Sequence, residues 1–474
     1  MSKLYELDAV ALANLIRAGK VSAREITEEA LTRMAAVNPK INAVVESLED
    51  EARTTAAALD ERQARGERLG GLHGVPVTVK INVDTKGHAN TNGVVAFKNN
   101  IAADDSPVVA NLRRAGAIII GITNTPAFSR RWFTDNDLHG RTLNPHDPRI
   151  TPGGSSGGAS AAVASGIGMI GHGNDIGGSI RYPAYACGVY GIRPSFGRVP
   201  AYNPTATVER SVVLHQSSVQ GPLARSIRDL SVGLDAMAMR DPRDPWHVPA
   251  SPVTGQPDAG PVRVALFDSW SGCKADAAVT RALKQAASWL ADAGYIIEVV
   301  APPSFEETVD LWRTLLTTQD HLDGVLVPSE KIADKALRKS MEGVNRAKVF
   351  TPEWFIQGLA RRTTLLRAWT LFFEKYPVLL MPSSWKLPFP IDADQTPTGK
   401  HDLMAAQTPQ TVLPILGLPG LSVPILTEGE APCGVQLATA RYAEAVAFEA
   451  GAVIEACAPK IRVIDPRAGR AAAE

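Results

Sequence analysis

Two serine-bearing glycine turns mark the stretch from Thr151 to Gly197. One is Gly153-Gly154-Ser155-Ser156-Gly157-Gly158 and the other is Gly177-Gly178-Ser179. Thirteen of the chain's 39 glycines fall in this stretch, so glycine is concentrated where the two serines sit. Glycine lets backbone segments approach closely and reach conformations closed to other residues. Turns of this kind predict a site built from backbone N–H groups and hydroxyls, suited to developing negative charge. No Lys-Ser/Thr pair follows the glycines, so a nucleotide-binding P-loop is not supported.

Ser155 alone admits a second reading. Gly153–Gly157 fits G-x-S-x-G, the nucleophile elbow of α/β-hydrolases, which needs a strand just before it and a late catalytic histidine. Here Asn144–Pro152 reads as loop, and the late histidines His321 and His401 stand in no telling context. Cys187 offers a thiol, but no Glu/Lys context points at it; it reads as a small core residue.

The stretch resembles the signature of the amidase signature family, serine hydrolases with a Ser-cisSer-Lys triad. The resemblance rests on GGSSGGAS from Gly153, GNDIGGSIRYPA from Gly173, the pair Cys187-Gly188, and the run Gly191–Arg198. It continues in Val75-Pro76-Val77-Thr78-Val79-Lys80 after Gly70-Gly71-Leu72-His73-Gly74, and in the late segments Gly417–Pro424 and Gly434–Leu437, so it covers nearly the whole chain. The resemblance implies Lys80 as base, Ser155 as proton relay behind a cis peptide, and Ser179 as nucleophile. It implies an oxyanion hole from the N–H groups of Ile176, Gly177, Gly178 and Ser179, with Ser156, Asp175 and Arg181 in support. Lys80 stands 75 residues before Ser155, and Ser155 stands 24 before Ser179, as in the family. Two positions depart from the pattern: Ile81 follows Lys80 where Asp is usual, and Asn174 precedes the signature aspartate where Thr is usual.

That chemistry sets a physical requirement. A serine hydroxyl needs a base, and lysine serves only when neutral. Its ordinary pKa is near 10.4, and burial lowers it. Lys80 closes a run of valines and a proline, which predicts an apolar setting. Phe128 and Trp132 follow the loop after an apolar strand, a usual position for ligand contacts in α/β folds. Together with the aromatic side chains of the segment 305–375, Trp312 among them, they are candidates for an apolar or aryl acyl pocket, with ordinary core packing the equal alternative. The run Lys80–Gly93 is similar to that of hydrazidase-type members of the family. The expected reaction is therefore cleavage of the acyl C–N bond of a small aryl or apolar amide or hydrazide through an acyl-serine. The alternative is a glutaminase-type subunit of a tRNA-dependent amidotransferase, which needs a partner. A catalytically dead binding protein of the same fold is opposed by the intact triad.

The surrounding chain must position these groups. At 474 residues, with 49 basic and 49 acidic side chains and 45% hydrophobic content, it reads as an ordinary globular protein. Nothing in that balance points to nucleic acid or an anionic membrane. The N-terminus lacks the apolar core of a signal peptide, and the apolar runs are far short of a membrane span. Four scattered cysteines without C-x-x-C argue against disulfides and a zinc site. No cofactor is expected, the cytoplasm is the default compartment, and a homodimer stands as an open assembly.

Residues 1–65 read as helices, with Ser22 and Glu25 forming a capping box and Gly19 ending the preceding helix. Strands are expected at Val75–Val79, Ala117–Ile122, Gly168–Gly173, Val189–Ile192, Val262–Phe267, Tyr295–Val300, Val378–Met381 and Gly434–Ala438. Helices are expected after Ser106-Pro107, over Ala275–Ala293 and from about Ala443. Such alternation argues an α/β layered fold. The resemblance implies the amidase-signature form of it, a central mixed β-sheet covered by helices on both faces. One domain over 1–474 is expected: N-terminal helices over 1–65, a signature core over 70–200, and a variable helical insertion over about 305–375. Asp241–Pro261 is the candidate linker or surface loop, and the tail Arg467–Glu474 is expected to fray.

Overall fold

Short apolar runs between glycine and proline punctuation become the strands of one mixed sheet. A computed structural model describes residues 3–250, 261–322, 332, 334–342 and 350–466. Among these residues the strands are β1 (Val44–Ser47), β2 (Pro76–Lys80), β3 (Ile118–Thr123), β4 (Ile170–Asp175), β5 (Tyr190–Arg193), β6 (Val219–Ala224), β7 (Arg263–Leu266), β8 (Ile296–Val299), β9 (Val378–Pro382), β10 (Gly420–Pro424) and β11 (Gly434–Ala438). Their order is β1-β3-β2-β4-β6-β5-β10-β11-β9-β7-β8. β2 runs parallel to both β3 and β4, whereas β6 runs antiparallel to β4 and β5. The fold is thus α/β with a central mixed sheet.

Strands covered on both faces carry continuous apolar runs. β3 shows this: Ile118 and Ile120 join one buried cluster, while Ile119 and Ile122 join another. The helix Gly157–Ala164 packs on β2 and β4, and the helix Ile227–Met237 on β6. The first of these is built of Gly, Ala, Ser and Val and is buried throughout, so backbone lies close to backbone.

Most expected elements lie within one or two residues of the observed ones. The Ser22/Glu25 capping box is present, and Asn42 closes that helix in the left-handed conformation with φ 48°. Gly19 also has positive φ, two residues past the helix Ala9–Arg17. Ser106 precedes the helix Pro107–Arg114, but its side chain makes no capping bond. Three strands went unpredicted. β1 interrupts the N-terminal helices, and β6 and β10 carry glycine and proline, which normally break strands. β6 tolerates Pro222 because β5 pairs only with Leu223 and Ala224, leaving Pro222 paired on the β4 side alone. Residues 241–250 contain no helix or strand, whereas 251–260 of the expected linker and the tail 467–474 lie outside the described residues. The expected insertion contains the helices Phe305–Leu322, Lys335–Met341 and Pro352–Lys375, with 323–331, 333 and 343–349 outside the described residues.

Candidate active site

β2 delivers Lys80 from its C-terminal end. The side chain is fully buried, and its Nζ lies 2.7 Å from Ser155 Oγ, 3.1 Å from Ser156 Oγ and 2.7 Å from Asn174 Oδ1. Burial pushes the Lys80 ammonium well below the ordinary lysine range, opposed only by the charge of Asp175. The Lys80 backbone N–H donates to His172 Nδ1 at 3.3 Å, so that nitrogen carries no proton. The Nε2–H then donates to Gln220 Oε1 at 2.7 Å. Burial lowers the His172 pKa to about 4, which leaves a neutral ring beside the lysine.

Ser155 and Ser156 sit in the first glycine turn, ahead of the helix Gly157–Ala164. The peptide between Gly154 and Ser155 is cis. Gly154 is required by close approach. A Cβ there would collide with the Arg131 carbonyl oxygen and lie 2.6 Å from the Phe133 nitrogen, both backbone atoms. Thr125 Oγ1 donates to the Ser155 carbonyl at 3.0 Å, fixing the turn against the loop after β3.

Ser179 lies in the second turn, between β4 and the helix Arg181–Cys187. Its carbonyl accepts the Ser156 N–H at 3.2 Å, which ties the two turns together. Asp175 organises this loop from the end of β4. Its carboxylate accepts the N–H groups of Gly178 at 2.9 Å and Ile180 at 3.2 Å, and the Arg181 guanidinium at 3.0 and 2.9 Å. Arg193 donates to its carbonyl at 2.6 Å. Despite burial, the two guanidiniums hold the Asp175 carboxyl well below the usual carboxylate range. Of the four N–H groups in the expected oxyanion hole, that of Gly178 is therefore engaged by Asp175.

A cavity of about 1030 Å³ opens onto Ser155, Asn174, Ile176, Gly177 and Ser179. Phe128 and Trp132 line it, as do Phe97 and Trp312. The indole N–H of Trp132 donates to the Gly177 carbonyl, and that of Trp312 to the Ile176 carbonyl, both at 2.9 Å. Both rings thus brace the second turn while presenting apolar surface to the cavity. Phe128 has φ 55° and its ring meets Phe97 edge-on at 5.9 Å. Trp312 comes from the aromatic-bearing insertion that was a pocket candidate, whereas Phe97 stands in no motif and was not singled out. Asn82, which donates to Ser129 Oγ at 2.9 Å, was likewise missed as a site residue.

The competing nucleophiles fall away on geometry. No strand leads directly into Ser155, residues 144–154 being loop, and His321 and His401 are exposed. Cys187 is buried, its thiol pushed up to about 12 by desolvation, and it accepts a hydrogen bond from Ser160 at 3.3 Å.

The family model described as Amidase matches residues 25–447. The chain belongs to the amidase family. It is a hydrolase of amide carbon–nitrogen bonds. It is 45% identical over 467 residues to the indoleacetamide hydrolase of Bradyrhizobium diazoefficiens, spanning 95% of this chain and 86% of that one. To one component of the glutamyl-tRNA(Gln) amidotransferase of Trichodesmium erythraeum it is 31% identical over 470 residues, spanning 92% and 94%. A bacterial aryl acylamidase of the amidase signature family superposes with a TM-score of 0.84 at 27% identity, covering 99% of this amidase and all of that chain. Among the described residues, no helix of this amidase is long and apolar enough to cross a membrane.

Proposed function

We propose that this amidase hydrolyses small aryl-bearing amides through an acyl-Ser179 intermediate, with Lys80 as base and Ser155 as relay. The observation that carries the reading is the 2.7 Å contact between Ser155 Oγ and a fully buried Lys80 amine. The neutral amine takes the Ser155 proton as Ser155 takes that of Ser179. The Ser179 oxygen then attacks the acyl carbon. The proton returns through Ser155 to the departing nitrogen as the C–N bond breaks, and water releases the acid. The N–H groups of Ile176, Gly177 and Ser179 face the negative oxygen, joined by Gly178 only if its bond to Asp175 loosens. Losing one such donor in other hydrolases costs about 2.7–4 kcal/mol.

The aromatic lining favours an aryl acyl group, and the 45% relative is named for an indole-bearing amide. The amidotransferase component matches at 31% against 45% for the indoleacetamide hydrolase, which weighs against the amidotransferase alternative. A hydrazide would leave by the same route, with a hydrazine in place of the amine.

The test is hydrolysis by the purified single chain of indole-3-acetamide, phenylacetamide, benzoic hydrazide and glutamine, with Ser179→Ala and Lys80→Ala alongside. The expected result is preference for an aryl substrate and a loss of at least about a thousandfold in both variants, the scale of removing a nucleophile or its base. Full activity in Ser179→Ala would remove it as nucleophile, and glutamine as the sole substrate would favour the amidotransferase alternative.

A further inference from the structure

The Lys80 amine has three polar neighbours, and their donor and acceptor capacities decide which way it faces. A neutral amine has two N–H bonds and one lone pair. The Asn174 side-chain oxygen, 2.7 Å from Nζ, can only accept, so it takes one N–H. Ser156 Oγ donates to the Asn174 carbonyl at 3.4 Å, leaving its lone pairs to accept the second N–H at 3.1 Å. The lone pair is then left for the hydroxyl of Ser155.

The Asn174 amide is itself held in that sense. Its Nδ2 donates to Asn82 Oδ1 at 2.8 Å, Asn82 Nδ2 donates to Ser129 Oγ at 2.9 Å, and Ser129 Oγ donates to Asn92 Oδ1 at 2.8 Å. The Ser129 hydroxyl also lies 3.1 Å from Thr125 Oγ1, but the two amide links fix the sense of Asn174: turning it over would set its NH₂ against the Lys80 N–H and break the link to Asn82. The chain starts at β4, where threonine is usual, and crosses to the loops after β2 and β3.

We propose that Asn174 is a positioning residue: its side-chain oxygen, held through Asn82 and Ser129, turns the lone pair of the Lys80 amine toward Ser155. This rests on the reading of Lys80 as base. The amide also does this without charge. The titratable groups around Lys80 are His172, neutral and bonded to the Lys80 backbone, and Asp175, whose charge is met by Arg181 and Arg193. An aspartate at 174 would add an uncompensated anion against Nζ, holding Lys80 protonated.

The experiment is the pH dependence of kcat/KM for Asn174→Asp, Asn82→Asp and Lys80→Ala, on the panel amide that the wild type turns over fastest. An anion this close to an ammonium raises its pKa by roughly 1–3 units. Activity requires the neutral amine, so the acidic limb should move up by about one pH unit or more in Asn174→Asp. Asn82→Asp, one amide further away, should move it the same way by less, and it decides the matter if Asn174→Asp does not fold. A general packing defect would lower the rate without moving the limb. Unmoved limbs in the folded variants, with Lys80→Ala inactive, would overturn the role of Asn174 and leave the base assignment standing. Activity retained in Lys80→Ala would overturn both.

Discussion

Lys80 and Asp175 are both buried charges by type, yet their surroundings drive them in opposite directions. Lys80 meets only neutral partners, so desolvation dominates and the amine is favoured. The acidic limb of kcat/KM should therefore lie well below the ordinary lysine value near 10.4; a limb at or above that value would separate Lys80 from the rate. Asp175 meets two guanidiniums, and its carboxylate form is favoured. Asp175→Asn leaves Arg181 and Arg193 without their counter-charge, and breaking such a buried pair costs about 3–5 kcal/mol. The folded-state pKa is depressed, so the carboxylate's contribution is complete above the unfolded value near 3.9 and is lost as pH falls through the folded value. Chemical denaturation of wild type and Asp175→Asn should thus differ fully at neutral pH and converge only in strong acid.

At the scale of elements, the two glycine turns have different tolerances. A Cβ at Gly154 runs into backbone of the Arg131–Phe133 segment. That segment cannot yield locally, so Gly154→Ala should destabilise by about 1–3 kcal/mol or more, read as a lower melting temperature. A Cβ at Gly177 would instead lie 2.7 Å from Trp312 Cζ2, a side chain that can shift. Gly177→Ala should keep nearly the wild-type melting temperature while turnover falls, because displacing the indole loosens its bond to the Ile176 carbonyl. Equal losses of stability in the two variants would remove this distinction. The helix Gly157–Ala164 follows the same logic, its small residues letting the Ser155 turn seat against β4.

Across the whole molecule, the site is closed by residues remote in sequence. Arg181 Nη1 donates to Gln436 Oε1 on β11 at 2.7 Å, and Arg181 Nη2 to the Gln410 carbonyl at 2.7 Å. Gln436 Nε2 donates on to the Pro409 carbonyl at 2.9 Å. Gln436→Leu keeps the volume but leaves a buried guanidinium N–H and a carbonyl unpaired, at about 1–3 kcal/mol for an unsatisfied group. Thermal melts and initial rates on one preparation should show both stability and turnover reduced, although β11 carries neither the lysine nor the two serines. Unchanged rates would mean that the C-terminal strands only cap the sheet.

Ser155 and Ser179 were legible as candidates because close packing leaves glycine where backbones touch and serine for a hydroxyl, whereas Lys80 was legible through the resemblance, a lone lysine at a strand end being ordinary by itself. Strands with uninterrupted apolar runs, such as β3 and β9, were legible for the same reason of local pattern. β6 and β10 were not, since Pro222 and Gly420 are tolerated only by the pairing that neighbouring strands impose. The same limit hid Phe97, Asn82 and the partners of Asn174. Their place depends on which loops the sheet order brings together, and hydrogen-bond direction between amides has no signature in spacing. By sequence alone, the resemblance of three motifs at matching spacing indicated the family and the candidate lysine and serines, and periodicity gave most of the elements; only the tertiary structure decided how the lysine is desolvated, which way its amine faces, and which aromatic rings line the cavity.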